Sequence, residues 1–84
     1  MAGTQVRGFE VLKIGRRIRG LSQVEVAQYY GIRLKTYQRW EAGKTPVAYD
    51  DLKVICSDVF KLKMADVERM AEMAKNGENT DAAA

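Results

Sequence analysis

Between Leu21 and Thr45, apolar and polar positions follow a pattern that predicts two short helices joined by a tight turn. The first helix is expected to begin after Ser22, because a serine hydroxyl can accept a hydrogen bond from the free amides of a first helical turn. Glu25, three residues later, completes a capping box. Gly31 is suited to end this helix, since glycine enters the left-handed backbone region without strain.

The second helix of this stretch is predicted from about Leu34 to Ala42, with Gly43 ending it. Tyr37 and Trp40 fall on its inner face, and both are expected to belong to the core. Its outer face carries long hydrogen-bond donors, namely Arg33, Lys35, Gln38 and Arg39. A helix with this division of side chains packs on one side and presents a basic, polar surface on the other.

The two helices and their turn have the features of a helix-turn-helix, in which the second helix lies in the major groove of DNA. Ala27 is small at the position where the helices would cross closely. Val26, Tyr30 and Ile32 are apolar where the pair would pack on the rest of a domain. The agreement extends over many constrained positions, which favours this interpretation over a chance pattern.

Three further helices are predicted outside this motif. They cover Phe9 to Arg19, Val47 to Val59 or Phe60, and Met64 to about Lys75. The apolar residues expected to be buried in them include Val11, Leu12, Ile14, Ile18, Leu52, Ile55, Cys56, Val59, Val67 and Ala71. We therefore expect an all-α, compact five-helix fold, with a flexible arm over residues 1–8, one domain over residues 9–76 and a disordered tail over residues 77–84.

Length and composition restrict the class of protein. A chain of 84 residues provides one modest core and leaves no room for a separate catalytic domain. No apolar run approaches the roughly 20 residues that span a bilayer, and the N-terminus has no signal-peptide pattern. The one cysteine, Cys56, has no partner for an internal disulfide and is expected to be a small buried apolar residue. These features predict a cytoplasmic protein with no membrane contact.

Charge is distributed unevenly along the chain. Up to Ala48 there are nine Lys and Arg against three Asp and Glu, a net charge of +6, and from Tyr49 onward five against eight, a net charge of −3. The basic half contains the predicted helix-turn-helix. Such asymmetry favours a polyanionic partner on one side of the molecule.

The stretches GLSQVEVAQYYGI and TYQRWEAGKTP resemble the Cro/repressor-type helix-turn-helix family, which is also called XRE-like. The resemblance extends from about Leu12 to Val67. It implies a lambda-repressor-like DNA-binding domain whose partner is a double-stranded DNA operator. In the family an apolar residue usually occupies the position of Gly15, and this departure suggests either that another helix approaches closely there or that the first helix is slightly rearranged.

The resemblance, together with the residue types, assigns candidate DNA-binding residues. These are Gln23, Arg33, Leu34, Lys35, Thr36, Gln38, Arg39, Lys44 and Thr45. Arginine and lysine suit guanine, glutamine suits adenine, and the residues of the loop after the recognition helix suit phosphate. Gln23 is expected to contact a phosphate and to brace the recognition helix. Leu34 either contacts a thymine methyl group or packs at the helix start, and Thr36 either contacts DNA or packs.

Several residues outside the predicted DNA-binding set also have expected roles. The family places an arginine at the position of Arg16, which would pair with Glu41 and join the first helix to the third. Arg17 and Arg19 are expected either in solvent or near the DNA backbone. In the family the last helix often forms a dimer contact, so Met70 and Met73 are candidates for a homodimer interface, with capping of the core as the alternative.

The expected function is sequence-specific regulation of transcription, most simply repression from a palindromic operator bound by a dimer. A chain of 84 residues is also large enough to contact RNA polymerase from a DNA-bound position. A different class remains open, in which the chain is an antitoxin or adaptor that uses the scaffold to bind a protein. The sequence has no histidine, no metal-ligand cluster and no phosphate-binding glycine loop, so we expect neither an enzyme nor a bound metal or cofactor.

Overall fold

A computed structural model describes residues 6–83 of the chain, with side chains described for residues 6–74. Over this range the regular structure consists of five α-helices: α1 (Gly8–Arg19), α2 (Gln23–Tyr30), α3 (Leu34–Glu41), α4 (Tyr49–Val54) and α5 (Met64–Ala83). A π-helical segment (Ile55–Val59) continues directly from the end of α4. The all-helical, five-helix fold expected from the sequence is confirmed.

The ends of α2 follow the local chemistry of the sequence. The Ser22 hydroxyl accepts a hydrogen bond from the Glu25 backbone amide at 3.1 Å, and the Glu25 carboxylate accepts one from the Ser22 amide at 2.8 Å. Gly31 ends the helix with φ 86°, in the left-handed region that glycine occupies without strain. The capping box of Ser22 and Glu25 therefore defines where α2 begins, and Gly31 defines where it ends.

The core lies where α1, α2, α3 and the α4–π segment meet. Helix α5 also contributes to the core, and the largest fully buried side chains are Tyr37, Phe60, Leu12, Ile55, Val11, Val26 and Val67. Trp40 is half-buried and packs on the edge of this core, so the predicted core position of Trp40 is only partly observed. Burial of these apolar side chains supplies most of the stabilisation of a domain this small.

Helix α1 buries most of the residues predicted to be buried in it, but not Ile18. Val11 and Leu12 are buried as expected, but Ile18 is 41% exposed and Ile14 is only half-buried. Gly15 is buried instead. The Phe60 ring lies against Gly15, so the close approach expected at this glycine is observed, made by a residue that follows the π-helical segment.

Arg19 is exposed, as predicted, and it also has a structural contact that the sequence did not indicate. Its Nε donates to the Phe60 carbonyl oxygen, and its Nη2 donates to the Lys61 carbonyl oxygen at 3.0 Å. These two carbonyls follow the π-helical segment, where backbone acceptors have no helical donor. Arg19 therefore joins the end of α1 to the end of the π-helical segment.

The fourth helix begins later than predicted. Val47 and Ala48 precede it in a non-helical conformation, with Ala48 as N-cap at φ −64° and ψ 146°. Val47 packs against the core from this segment, so its apolar character reflects burial of a loop residue. Asp50 and Asp51 lie in the first turn, where carboxylates suit the positive end of the helix dipole.

The predicted boundaries at the two ends of the chain require correction. Helix α5 continues through Asn76 and Gly77 to Ala83, so residues 77–83, predicted as a disordered tail, are helical. One glycine costs a helix only about 1 kcal/mol, and no proline follows to stop it. Of the predicted N-terminal arm, residues 1–5 lie outside the described residues. Val6 packs on the core and Gly8 already belongs to α1.

Candidate nucleic-acid interface

The turn between α2 and α3 sets how the third helix projects from the domain. The backbone amides of Gly31 and Ile32 both donate to the Ala27 carbonyl, at 2.9 and 3.0 Å. Ala27 itself is 2% exposed and lies where α2 and α3 pack together. A larger side chain at this position would separate the two helices, so the small residue and the closed turn together fix their relative placement.

Helix α3 is divided sharply between an inner and an outer face. Tyr37 is fully buried and Glu41 is 4% exposed on the inner face. The outer side chains predicted to contact DNA are exposed, namely Arg33, Leu34, Lys35, Gln38 and Arg39, whereas Thr36 is half-buried. Thr36 was expected either to contact DNA or to pack, and its half-buried position favours packing. The remaining outer residues form one accessible surface.

Four of the predicted DNA-binding residues line one shallow concavity of about 360 Å³. They are Lys35, Gln38, Arg39 and Lys44, with Ala42 between them. The loop after α3 folds back to reach this surface, because the Lys44 backbone amide donates to the Arg39 carbonyl at 3.0 Å. Three cationic side chains and no carboxylate line the concavity, so its potential is positive and suits phosphate or the acceptor groups of guanine.

The remaining predicted DNA-binding residues are distributed around this concavity. Arg33 is the N-cap residue of α3, and Leu34, the first residue of the helix, is 36% exposed. Thr45 is exposed in the loop next to Lys44. Gln23 is half-buried at the start of α2, beside the outer face of α3. The structure thus brings residues from α2, α3 and the following loop to one side of the molecule.

Arg16 and Glu41, the pair expected to join the first and third helices, are in contact. Arg16 Nε donates to Glu41 Oε2 at 2.8 Å, and Arg16 Nη2 donates to Glu41 Oε1 at 2.7 Å. Burial alone would raise the pKa of Glu41, but the hydrogen bonds and charge of Arg16, together with interactions from the Tyr37 hydroxyl and the Gln23 amide, outweigh it, and the pKa lies below its ordinary value. Arg16 also donates to the Leu21 carbonyl at 3.0 Å, which ties this pair to the start of α2.

Gln23 extends this contact toward the surface. Its Nε2 donates to Glu41 Oε1 at 3.0 Å, and its Oε1 accepts from Gln38 Nε2 at 3.3 Å. Both partners belong to α3, so the half-buried glutamine braces that helix from its inner to its outer face. The sequence indicated a bracing role for Gln23 through the family resemblance, but nothing in the spacing of the residues indicated the contact with Glu41.

Tyr37 places a phenol next to the same cluster. Its hydroxyl is buried and makes no hydrogen bond of ordinary geometry among the described residues, but it lies near enough to the Glu41 carboxylate to help lower the pKa of Glu41. Burial raises the pKa of Tyr37 well above its ordinary value. The side chain therefore acts as a neutral aromatic core residue.

Met70 and Met73 lie on α5, which contacts the body of the domain mainly through α1. They are 50% and 64% exposed, whereas Val67 and Ala71 on the inner face of the same helix are buried. The two methionines therefore do not close the core, contrary to the alternative considered for them. An apolar surface of this kind is available to a partner.

Metal-ligand groups and the single thiol were the remaining candidates for reactive chemistry. Over the described residues no group of His, Cys, Asp and Glu has an arrangement that could hold a metal ion. Cys56 is buried, and burial raises the pKa of its thiol to about 11, which opposes formation of a thiolate. None of the helices described is long and apolar enough to cross a bilayer.

Comparison with known proteins identifies the central part of the chain. Residues 12–58 match a family model described as helix-turn-helix. The match covers more than half of the chain and includes α2, the turn, α3 and most of the α4–π segment. No curated protein and no solved structure matches the chain.

Proposed function

The chain belongs to the helix-turn-helix family of Cro/repressor-type, XRE-like DNA-binding transcriptional regulators, and from this premise we propose that it is a repressor that binds a palindromic operator as a dimer. In this proposal α3 enters the major groove of double-stranded DNA. The observation that carries the proposal is the positive concavity on the outer face of α3. Its lining residues are Lys35, Gln38, Arg39 and Lys44.

The residues of this surface divide into two roles. Arg33, Lys35 and Arg39 contact guanine O6 and N7, or the adjacent phosphates, from the exposed side of α3. Lys44 and Thr45 bind phosphate from the loop after α3 and fix the register of the helix in the groove, since backbone contacts position a protein and base contacts specify the sequence.

Two residues at the edges of the surface have narrower roles. Leu34 stands at the start of α3 with about a third of its surface exposed, and it contacts a thymine methyl group. Gln23 approaches a phosphate from the N-terminus of α2, where free backbone amides also favour an anion.

Dimerisation follows from the geometry of operator recognition. A palindromic operator presents two half-sites about 34 Å apart, and two copies of α3 read them when the protein has a matching two-fold axis. We assign the dimer contact to Met70 and Met73, because they form an exposed apolar surface on a helix whose opposite face is buried. Repression then requires no contact beyond the operator, since a bound dimer blocks RNA polymerase.

The test of this function is selection from a randomised duplex pool at near-physiological salt, followed by sequencing of the bound fraction. Enrichment of an inverted repeat with half-site centres about one helical turn apart supports both specific readout and a dimer. Enrichment of a single half-site would support recognition by α3 and would contradict binding as a dimer. A pool without enrichment would contradict sequence-specific binding altogether.

A second function is favoured by one observation, the exposure of Met70 and Met73 on α5. This surface also suits an antitoxin or adaptor that binds a protein, including a subunit of RNA polymerase. Salt dependence separates the two functions. Binding through several phosphates weakens steeply as salt rises, whereas binding through an apolar protein surface does not.

A further inference from the structure

The amide of Gln38 is held by a chain of hydrogen bonds that begins at a buried carboxylate. Gln38 donates to Gln23, and Gln23 donates to Glu41, at 3.3 and 3.0 Å. Glu41 is 4% exposed and is held by two hydrogen bonds from Arg16, at 2.8 and 2.7 Å. The chain of contacts thus runs from the interior of the domain to the outer face of α3.

The chemistry of these hydrogen bonds fixes the orientation of the Gln23 and Gln38 side-chain amides. An ionised carboxylate accepts hydrogen bonds and has no hydrogen to donate, so Gln23 must present Nε2 to Glu41. The Oε1 atom of Gln23 is then the group that faces Gln38, and Gln38 must donate to it from Nε2. One Nε2 hydrogen of Gln38 is used inside the protein. Its Oε1 and its second Nε2 hydrogen remain free for another partner.

These two free groups distinguish the purines. In the major groove adenine presents the N7 acceptor and the N6 amino donor, whereas guanine presents two acceptors, N7 and O6. Gln38 has one acceptor and one hydrogen left, which matches adenine. Guanine would place two acceptors against one hydrogen and would bring its O6 toward the Oε1 of Gln38.

We propose that Glu41 and Gln23 are positioning residues that make Gln38 select adenine over guanine at the base it contacts. This inference rests on the proposed function, since it requires the outer face of α3 to lie in the major groove. Without the hydrogen bond to Gln23, both Nε2 hydrogens of Gln38 are free, and N7 and O6 of guanine become acceptable partners. The contact between α1 and α3 is then also a determinant of specificity.

The primary variant is Gln23→Met, which removes the amide, keeps a side chain of similar length and leaves the Arg16–Glu41 pair intact. Binding is measured to duplexes that differ only at single base pairs of the sequence selected by the parent protein. Gln38→Ala identifies the base pair in question, because discrimination is lost there. We expect Gln23→Met to reduce the preference for adenine over guanine at that base pair by about fivefold or more, and at no other.

Two further proteins make this result specific. Gln28→Met changes an exposed glutamine of the same helix and should leave every base preference unchanged. The double variant Gln23→Met with Gln38→Ala should have the same base preferences as Gln38→Ala alone, because Gln23 affects base preference only through Gln38, and loss of its phosphate contact lowers affinity equally for all duplexes. An additional loss of base preference in the double variant would contradict this dependence.

Glu41→Gln tests the buried end of this series of hydrogen bonds. The amide introduced at this position can donate, so the Gln23 amide is free to turn around and present Nε2 to Gln38. Gln38 then accepts with Oε1 and has both hydrogens available for guanine. We expect guanine to be tolerated at the same base pair in a variant that a thermal melt shows to be folded. If Glu41→Gln does not fold, Gln23→Met decides the question.

The outcomes separate this inference from the function on which it rests. An unchanged adenine-to-guanine ratio in Gln23→Met, or an equal loss of affinity for all duplexes, would overturn the positioning role while leaving recognition by α3 in place. A parent protein without any base preference would instead overturn the proposed function, and this inference with it. Relaxed purine selection at the single base pair read by Gln38 supports the inference.

Discussion

The Phe60 ring lies directly against the backbone of Gly15. A Cβ atom added at Gly15 would lie 2.4 Å from Cδ2 of the ring, a distance that no packed core accommodates. Phe60 is fully buried just after the π-helical segment, and Gly15 lies in the middle of α1. The contact accounts for a glycine in a helix interior, where it costs about 1 kcal/mol relative to alanine.

Gly15→Ala is therefore expected to destabilise the protein, although alanine is the better helix former. Forcing a methyl group into a packed core typically costs about 1–3 kcal/mol, which exceeds the propensity gain of about 1 kcal/mol over most of that range. The free energy of unfolding in urea measures the difference. Combining Gly15→Ala with Phe60→Leu should recover part of the loss, since the smaller side chain leaves room for the methyl group.

Gly8→Ala is the matched control for that substitution. A Cβ at Gly8 would lie 2.6 Å from Cγ1 of Val47, which is the end of a half-buried side chain that can rotate away. We expect its effect on the free energy of unfolding to be well below that of Gly15→Ala. Equal effects would show that the Phe60 ring imposes no special restriction at Gly15.

Lys61→Gly is expected to stabilise the protein. Lys61 has φ 55° and is the one non-glycine residue with a positive φ over the described part of the chain. The left-handed conformation costs most residues about 1–2 kcal/mol, and glycine avoids this cost, so a net gain of about 0.5–1 kcal/mol is expected. Lys63→Gly, at an exposed position without a positive φ, should give no gain in a parallel thermal melt.

Tyr37→Phe and Tyr30→Phe remove the same hydroxyl group from two different environments. The Tyr37 hydroxyl is buried and makes no hydrogen bond of ordinary geometry among the described residues, only a looser interaction with Glu41, so its removal should change stability by less than about 1 kcal/mol. The Tyr30 hydroxyl donates to Asp51, and its loss should cost about 1 kcal/mol. Chemical denaturation of both variants measures the contrast, and a greater loss for Tyr37→Phe would contradict it.

The contribution of Glu41 to stability should depend on pH in a definite direction. Because the pKa of Glu41 is lower in the folded protein than its ordinary value of 4.5, the unfolded chain binds the proton more readily. The stabilisation is thus fully present above pH 4.5 and is lost as pH falls through the lower folded pKa. Melting temperatures of the parent and Glu41→Gln should differ most near pH 7 and converge below pH 4.5. A difference in melting temperature that does not change with pH would show that ionisation of Glu41 does not contribute to stability in this way.

Arg39→Ala and Lys44→Ala should weaken DNA binding in different ways. Arg39→Ala removes a base contact, so it should cost about 1–3 kcal/mol on the selected operator and little on unrelated DNA. Lys44→Ala removes a phosphate contact and should weaken binding to all sequences, lowering the slope of log K against log salt by about 1. Titrations at several salt concentrations measure both effects. An Arg39→Ala protein that binds its operator as tightly as the parent would exclude Arg39 from the groove.

Local chemistry determined the elements that the sequence predicted well. Ser22, Glu25 and Gly31 specify where α2 begins and ends through contacts within a few residues, and such contacts can be read directly from spacing. The apolar stripe through Leu52, Ile55 and Cys56 likewise identified a buried helix face. The helix-turn-helix, its outer basic face and the five-helix fold all followed from signals of this short range.

Only the tertiary structure decided which distant groups meet. The Phe60 ring lies against Gly15, and Arg19 donates to the carbonyls of Phe60 and Lys61, more than forty residues away along the chain. The continuation of α5 beyond Asn76 and Gly77 also escaped prediction, because weak stop signals do not fix a helix end.

The chain of contacts from Arg16 through Glu41 and Gln23 to Gln38 shows the same division. Each residue type is visible in the sequence, and the resemblance to a known family indicated the first pair. The direction of the Gln38 amide depends on the burial of a carboxylate on another face of α3 and on a glutamine from α2. Spacing along one chain contains no information on that geometry, because it arises from the packing of three helices against one another.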